Sequence, residues 1–568
     1  MSVSGIGGNS MEKQVNDGRH SRRMLAAALL VYSAAVLGLA HASYLANDHH
    51  IVYALDDAYI HMAIAKNIVQ YGTFGITPDE FTLSSSPLWT ILLAGLFRAF
   101  GTSEWIPLLL NYAFGAAAIL VIWKFGVDAG IRGVGLGLLL GASILLTPVI
   151  PLAFTGMEHL LHILMVLLVT YFLWRLLVHD GPIGRKALWA LCISTAVAVA
   201  VRYESLFLVA AASIALAAKR RWTVIAVCGA CALIPICSFG ILAVANGQPF
   251  LPVSLLLKGN IPVVNGVIGI VKSLGFDGLQ QLVMTPHLYI LTLCLVVLFW
   301  WEQANGRRPD GTNLLLVVVV TATALHVQFA RTDWFYRYEA YLVALALVVL
   351  SIQFRRSSGH GGFPGFRKRP WMIAVSFGVM LVVLLLPLAK RAAGAHFNTI
   401  QATKNIYQQQ YQMGLFLHRF YDGQPVAAND IGAINYLARL RVLDLTGLGS
   451  REVSRHRRNG SYSTAVIREL ARERGIRIAV VYTSRLLPEE WTLVGTWTIS
   501  NNIVCGGTTV SFLAAESSEI HNLLEHLRSF SSELPRGVVW KESIAGEVIE
   551  RTPALDEERR SDRTVPRE

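Results

Sequence analysis

Charge is what this chain has least of. Only 15% of its 568 residues are Asp, Glu, Lys or Arg, against 54% hydrophobic and a mean hydropathy of +0.48. That balance excludes an ordinary soluble protein of this size and leaves an integral membrane protein. Cysteine is scarce as well. Five of the six, Cys192, Cys228, Cys231, Cys237 and Cys294, fall in apolar runs and Cys505 stands alone in the polar part, so no disulfide framework is available. Cys228 and Cys231 have CxxC spacing but apolar neighbours and no second ligand pair, which reads as packing and not as a metal or redox centre. The net charge is +12, yet Lys and Arg sit in short clusters between apolar runs. Membrane topology explains such clusters, and a nucleic-acid partner is not indicated. No internal repeat is visible, which weighs against a transporter built from two related halves.

A span needs about 20 apolar residues. Eleven runs meet or approach this: 24–46, 105–123, 133–153, 157–178, 187–201, 203–218, 222–245, 288–301, 313–330, 338–354 and 371–389. The first follows Arg19, Arg22 and Arg23 and lacks a small-residue cleavage site, so it reads as an uncleaved anchor. The stretch from Pro87 to Phe100 would make a helix of only about 20 Å, and parity assigns it to the membrane plane. With it there, the basic clusters at Lys124 and Arg132, Arg185 and Lys186, Lys219 to Arg221, Arg307 and Arg308, and Arg355 to Arg369 share a side with the basic N-terminus. If it crossed, all of them would land opposite, against the positive-inside rule. The expected organisation is a cytoplasmic tail over 1–23, a transmembrane domain over 24–389 with a first periplasmic loop over 47–104, a periplasmic α/β domain over 390–540 and a disordered terminus over 541–568. In the tail, strands are expected at Pro425 to Ala428, Val442 to Leu445, Ile476 to Tyr482, Trp491 to Ile499 and Thr508 to Ala514, with helices at Ser463 to Arg474 and Glu519 to Leu534.

With that topology the outer connections collect nearly every unusual polar residue of the membrane half: Asp56, Asp57, Glu158, His159, Arg202, Glu204, Lys258, His326, Arg331, Asp333, Arg337 and Glu339. Asp56 and Asp57 stand out. Two adjacent anions just outside a bilayer repel each other and do nothing for insertion, so they read as a site that needs a cationic or polar partner.

The first loop reads Asp56-Asp57-Ala58-Tyr59, then Ala65-Lys66-Asn67, Tyr71-Gly72-Thr73-Phe74 and Ser84-Ser85-Ser86-Pro87-Leu88-Trp89-Thr90. Further along come Thr155-Gly156-Met157-Glu158, Arg202-Tyr203-Glu204, Pro249 to Pro252 followed by Lys258, Asp333-Trp334, Arg337-Tyr338, Asn429 to Ile434, and Asp444 to Leu448. In this order the chain resembles the membrane glycosyltransferases of GT-C type, closest to the bacterial cell-wall arabinofuranosyltransferase, aminoarabinose transferase and protein O-mannosyltransferase-like group. Tyr203 stands where that group has Pro, and Val253 where it has Asn. The resemblance implies a polytopic α-helical GT-C fold of about eleven spans with a C-terminal periplasmic α/β domain, in the cell inner membrane. It implies an inverting transfer of a sugar from a polyprenyl-phosphate donor to a cell-envelope glycan, glycolipid or protein on the extracytoplasmic side. It also implies Asp56 as the base, with Asp57 positioning it or binding acceptor hydroxyls, Lys258, Arg337 and Arg331 on the donor phosphate, and Glu158, Arg202, Glu204, Asp333, Tyr338 and Trp89 around the substrate.

The residues admit plainer readings. Either Asp could cap the helix running on to Tyr71, the cations could snorkel to headgroups, Arg202 and Glu204 could simply pair, and Asp430 and Asp444 read as turn residues. His159, His162 and His326 read as structural histidines. No cofactor is expected, although a divalent cation shared between the double Asp and phosphate oxygens stays open. Rival functions are a polysaccharide ligase using a diphosphate-linked donor, and a lipid or sugar transporter or flippase.

Overall fold

The computed structural model describes residues 6–179, 181, 184–258, 284–304, 310–358, 370–482 and 486–543. Each of the eleven apolar runs is helical, because in lipid the backbone must satisfy its own hydrogen bonds. Among the described residues, seven helices are long and apolar enough to cross a membrane: Asp17–Ala46, Trp105–Asp128, His159–Val178, Trp222–Ala245, Pro286–Ala304, Gly311–Phe329 and Ala340–Ser357. The chain is thus a helical, multi-pass membrane protein, with fewer full-length spans than the eleven expected. The shortfall has local causes. The run 133–153 is broken at Thr147-Pro148 into Gly133–Leu146 and Val149–Ala153, and the runs 187–201 and 203–218 form the helices Arg185–Val201 and Ser205–Ala218, of only 17 and 14 residues; Pro87–Phe100, outside the eleven runs, is an apolar helix of 14 residues. The run 371–389 lies inside Pro370–Ile406, a 37-residue helix that passes through position 390 without a break into the C-terminal part.

That C-terminal part is a mixed α/β domain. Strands β1 (Pro425–Ala428), β2 (Arg441–Asp444), β3 (Ile478–Tyr482), β4 (Thr492–Ile499), β5 (Thr509–Ala514) and β6 (Val538–Glu542) form one sheet in the order β2-β1-β3-β5-β4-β6. The β2-β1-β3 side is parallel and the rest antiparallel. Strands β1 and β3 are buried along their whole length, as parallel strands covered on both faces are. One face packs around Phe416, Trp497, Phe512 and Phe530, and the other around Leu443, Ile467 and Leu513. Strand β6 was not expected from the sequence. Lys541 and Glu542 interrupt its apolar pattern, as suits an exposed edge strand paired on one side to β4.

The first loop carries the helix Asp56–Tyr71, closed by Gly72 in left-handed conformation at φ 71°. Its capping position is Leu55, without a side-chain cap, so neither Asp caps this helix. Asp56 caps a different one. Its two oxygens accept the backbone N–H groups of Gly432 and Ala433, 2.8 Å each, at the start of the five-residue helix Ala433–Leu437 of the C-terminal domain. Ten residues on, Lys66 Nζ donates to the carbonyls of Asn435, Tyr436 and Ala438 at 2.8, 2.6 and 3.4 Å. The short helix is therefore held with an anion at its N-terminus and a cation at its C-terminus, each matched to the helix dipole. Gly432 is required by proximity: a Cβ there would lie 2.1 Å from the Asp56 carbonyl oxygen.

Lys66→Met removes the cationic clasp while keeping the stem. Hydrogen bonds to charged groups are worth about 1.5–3 kcal/mol, so the detergent-solubilised variant is expected to unfold at lower temperature than wild type. An unchanged Tm would mean that Lys66 does not hold the C-terminal domain.

Candidate active site between the first loop and the C-terminal domain

Asp57 points the other way from Asp56. Its carboxylate takes Arg337 Nη2 at 2.5 Å, and the same guanidinium donates to the Tyr338 hydroxyl at 3.0 Å and lies 2.8 Å from Met157 Sδ. The Arg337 side chain is only 1% exposed, and its Nε–H is buried without a hydrogen-bond partner. A fully buried guanidinium with an unused donor is costly to keep, which marks it as poised for an anion. The turn that delivers it is strained: Asp333, Phe335 and Tyr336 have φ of 72°, 50° and 60°, a cost of about 1–3 kcal/mol each. The long helix Pro370–Ile406 holds the turn closed, with Arg391 bonding both the Tyr336 carbonyl and Glu339, the latter at 2.8 Å. Neither Arg391 nor Glu339 was among the expected site residues.

A second buried ion cluster adjoins the first. Arg202 pairs with Glu158 at 2.5 Å and with Glu204, and both it and Arg337 lie over the Tyr338 ring, 5.4 and 4.8 Å from its centre. Gly156 makes the close approach possible: its φ is +64°, and a Cβ would collide with the Tyr53 ring and with Ala58. Glu158 also lies 3.6 Å from His61 Nε2, whose Nδ1 is within 2.9 Å of Ser84 and 3.1 Å of Thr90. Burial holds the His61 imidazole below its usual range, against the opposing pull of Glu158.

These residues end a cavity of about 290 Å³. Asp57, His61, Arg202, Arg331 and Arg337 form its polar end, and Leu206, Phe207, Ile236, Leu251, Leu255 and Phe329 its apolar remainder. On the other side of the acidic pair is a larger cavity of about 710 Å³, lined by Asp56, Asp57, Trp334, Gln410, Asn429, Asp430, Thr446, Arg457 and Tyr462 among others. Asp57, Ile60 and Leu448 line both. Asp56 is pushed up to about 7 by burial and then by the neighbouring Asp430, against the two backbone N–H groups that stabilise its anion.

Of the expected site residues, the structure therefore gathers Asp56, Asp57, Glu158, Arg202, Glu204, Arg331, Arg337 and Tyr338. Trp89 is fully buried beside Phe114, filling the space behind the loop helix, and lines neither cavity. Asp333 also lines neither; its backbone N–H donates to Glu339 at 2.9 Å and its carbonyl accepts from the Tyr336 N–H at 3.0 Å. Lys258 ends the helix Val253–Lys258, and its side chain lies outside the described residues. Asp444 is a turn residue, accepting from Thr446 and Gly449 and shaping the loop that carries Leu448. Asp430 is not only that: it faces the larger cavity. His162 and His326 bond Ser205 and Tyr341 within the helix packing. Polar burial is not confined to one surface either, since Glu302 is buried among Asn313, Gln353 and Ser357.

Among known structures the chain is similar to ArnT from Cupriavidus metallidurans bound to undecaprenyl phosphate, with TM-score 0.51 and 13% identity over 86% of this chain and 98% of that one. The fold is ArnT-like. Mycobacterial arabinofuranosyltransferase AftD also matches, at TM-score 0.46 and 14% identity over 87% of this chain and 41% of AftD. Residues 404–513 match a family model described as Domain of unknown function (DUF8728). No protein of curated function matches the sequence. The expected resemblance thus holds at the level of the fold, which is similar to that of ArnT.

Because Arg202 is the only cation directly between Glu158 and Glu204 among the described residues, Arg202→Met strands two carboxylates. Losing one partner of a buried pair costs about 3–5 kcal/mol, so the single variant is expected to lose stability sharply in thermal unfolding. Adding Glu158→Gln and Glu204→Gln should recover much of it; a single variant as stable as wild type would refute the pairing.

Proposed function

We propose that this protein is an inverting glycosyltransferase that moves a sugar from a polyprenyl-phosphate donor to an acceptor on the extracytoplasmic side of the membrane. The observation that carries the reading is the position of the acidic pair, between an apolar cavity that ends in guanidinium groups and a polar cavity against the C-terminal domain. The first matches a lipid tail with a phosphate head, and the bound undecaprenyl phosphate of the similar ArnT structure supports that assignment. Arg337 and Arg331, with Lys258 beyond the described side chains, are the phosphate partners; guanidinium groups suit phosphate because they can donate two parallel bonds. Asp57 holds Arg337 until the phosphate arrives and then yields that place to a phosphate oxygen.

In the transfer, an acceptor hydroxyl oxygen forms a bond to the anomeric carbon and gives its proton to Asp56. The bond from the anomeric carbon to the donor phosphate oxygen breaks, and its electron pair leaves on the phosphate, which the arginines stabilise. Attack from the Asp56 side, opposite the leaving phosphate, inverts the anomeric centre. A base with a pKa near 7 is well matched to neutral pH. Glu158, Arg202, Glu204 and Tyr338 fix the orientation of Arg337 and the floor of the donor cavity.

Donor turnover by the purified protein should be measured with polyprenyl-phosphate arabinofuranose, mannose, glucose and aminoarabinose, with envelope extract as acceptor. One donor is expected to be consumed, and Asp56→Asn to slow it by about 10²–10⁴-fold. Since the base acts ionised, kcat should rise with pH through about 7. Full activity in Asp56→Asn, or no consumption of any donor, would sink the reading and favour a diphosphate-linked donor or transport.

A further inference from the structure

The larger cavity has a chemistry of its own. It is walled by three carboxylates, Asp56, Asp57 and Asp430, and one guanidinium, Arg457. Arg457 is already committed: it donates to the Leu445 carbonyl at 3.1 and 3.3 Å and lies 4.3 Å from the centre of the Tyr462 ring. Asp57 is neutralised by Arg337, but on the far side of the wall. Arg457 keeps its charge, since the Leu445 carbonyl and the Tyr462 ring are neutral, so the lining carries both signs, and at its Asp56–Asp430 edge, where the two carboxyl groups already repel each other, a second anion is disfavoured. The rest of its lining mixes amide, hydroxyl and aromatic groups, from Gln410, Thr446 and Trp334, with aliphatic side chains such as Ile60, Ile406 and Leu448.

Asp430 is fixed within this lining. Its Oδ2 accepts from the Tyr482 hydroxyl at 2.5 Å and from Gln410 Nε2 at 2.7 Å, and Gln410 Nε2 is in turn 2.9 Å from the same hydroxyl. Both bonds land on one oxygen, which leaves Oδ1 to the cavity that Asp430 lines. Two residues on, the same segment supplies the N–H groups that hold Asp56. One stretch of the C-terminal domain thus sets two carboxylates at the edge of one cavity.

Resting on the glycosyl-transfer reading above, we infer that this cavity receives an uncharged, hydroxyl-bearing glycan, with Asp430 accepting a hydrogen bond from one acceptor hydroxyl while another faces Asp56. Carboxylate and amide oxygens with aromatic rings suit the mixed polar and apolar faces of sugar rings. A phosphorylated glycan would bring an anion against the carboxylate wall, and Asp430 makes the C-terminal domain the part of the chain that selects the acceptor.

The test uses the full-length protein in lipid nanodiscs, the polyprenyl-phosphate sugar that it consumes, and three acceptors: a neutral oligosaccharide, the same oligosaccharide bearing a phosphate monoester, and an amine-bearing oligosaccharide of equal length. The neutral acceptor is expected to be used at least about tenfold better than the phosphorylated one. Asp430→Asn should raise the KM for the neutral acceptor about tenfold, the worth of one hydrogen bond to a charged group, while undecaprenyl phosphate binding is unchanged. Tyr482→Phe, which loosens Asp430 without touching its charge, should move the same KM less far and covers the case in which Asp430→Asn does not fold. Preference for the phosphorylated or the amine-bearing acceptor, or an unchanged KM in both variants, would overturn the inference alone. Failure to bind undecaprenyl phosphate would instead overturn the glycosyl-transfer reading beneath it.

Discussion

The grip of the first-loop helix on the short helix Ala433–Leu437 is the constraint from which the rest of the site follows. Asp56 and Lys66 hold the two ends of that helix, and in doing so they fix the C-terminal domain over the membrane half. Only with the domain there do Leu448 and Asp430 become walls of cavities that the loop alone would leave open. Asp56 accepts from the C-terminal domain, and the adjacent Asp57 turns toward Arg337. Two neighbouring carboxylates, which would repel each other if they shared one environment, are thereby sent to opposite sides of a wall.

The electrostatic arrangement is close to balanced on the membrane side. Two buried arginines, Arg202 and Arg337, pair with three carboxylates, Glu158, Glu204 and Asp57, and the exposed Arg331 lines the same cavity. Buried pairs of this kind add little net stability, since desolvation offsets their attraction. Their effect is positional. Arg337 is held by Asp57, by the Tyr338 hydroxyl and by a strained turn that Arg391 keeps in place, and one of its donors remains unused. An arrangement that stores strain and leaves a donor unpaired is reasonable where an anion is to arrive, and hard to explain as packing.

Much of this was legible in the residues. The helix Asp56–Tyr71 could be read to its last residue because Gly72 ends it, and five of the six strands were visible because each is an apolar run bounded by turns. The edge strand Val538–Glu542 was not, because exposed charges break its pattern. At the site, the acidic pair and Arg337 stood out as charges collected in the outer connections of an otherwise apolar membrane half. Asp430 did not: a lone Asp after a strand looks like any turn residue. What distinguishes it is contact with Tyr482 and Gln410, tens of residues away, and a shared cavity with Asp56, nearly 400 residues away. The sequence could likewise suggest that an Asp caps a helix, but not that the helix lies 376 residues down the chain. Trp89, expected around the substrate, is instead fully buried and lines neither cavity.

The most direct test is an experimental structure of the protein with undecaprenyl phosphate. The phosphate is expected at the polar end of the smaller cavity, bonded to Arg337 in the place that Asp57 now holds, with the tail along Leu206, Phe207 and Phe329. A lipid found elsewhere, with the Asp57–Arg337 pair intact, would contradict the division of the site into donor and acceptor cavities by the acidic pair.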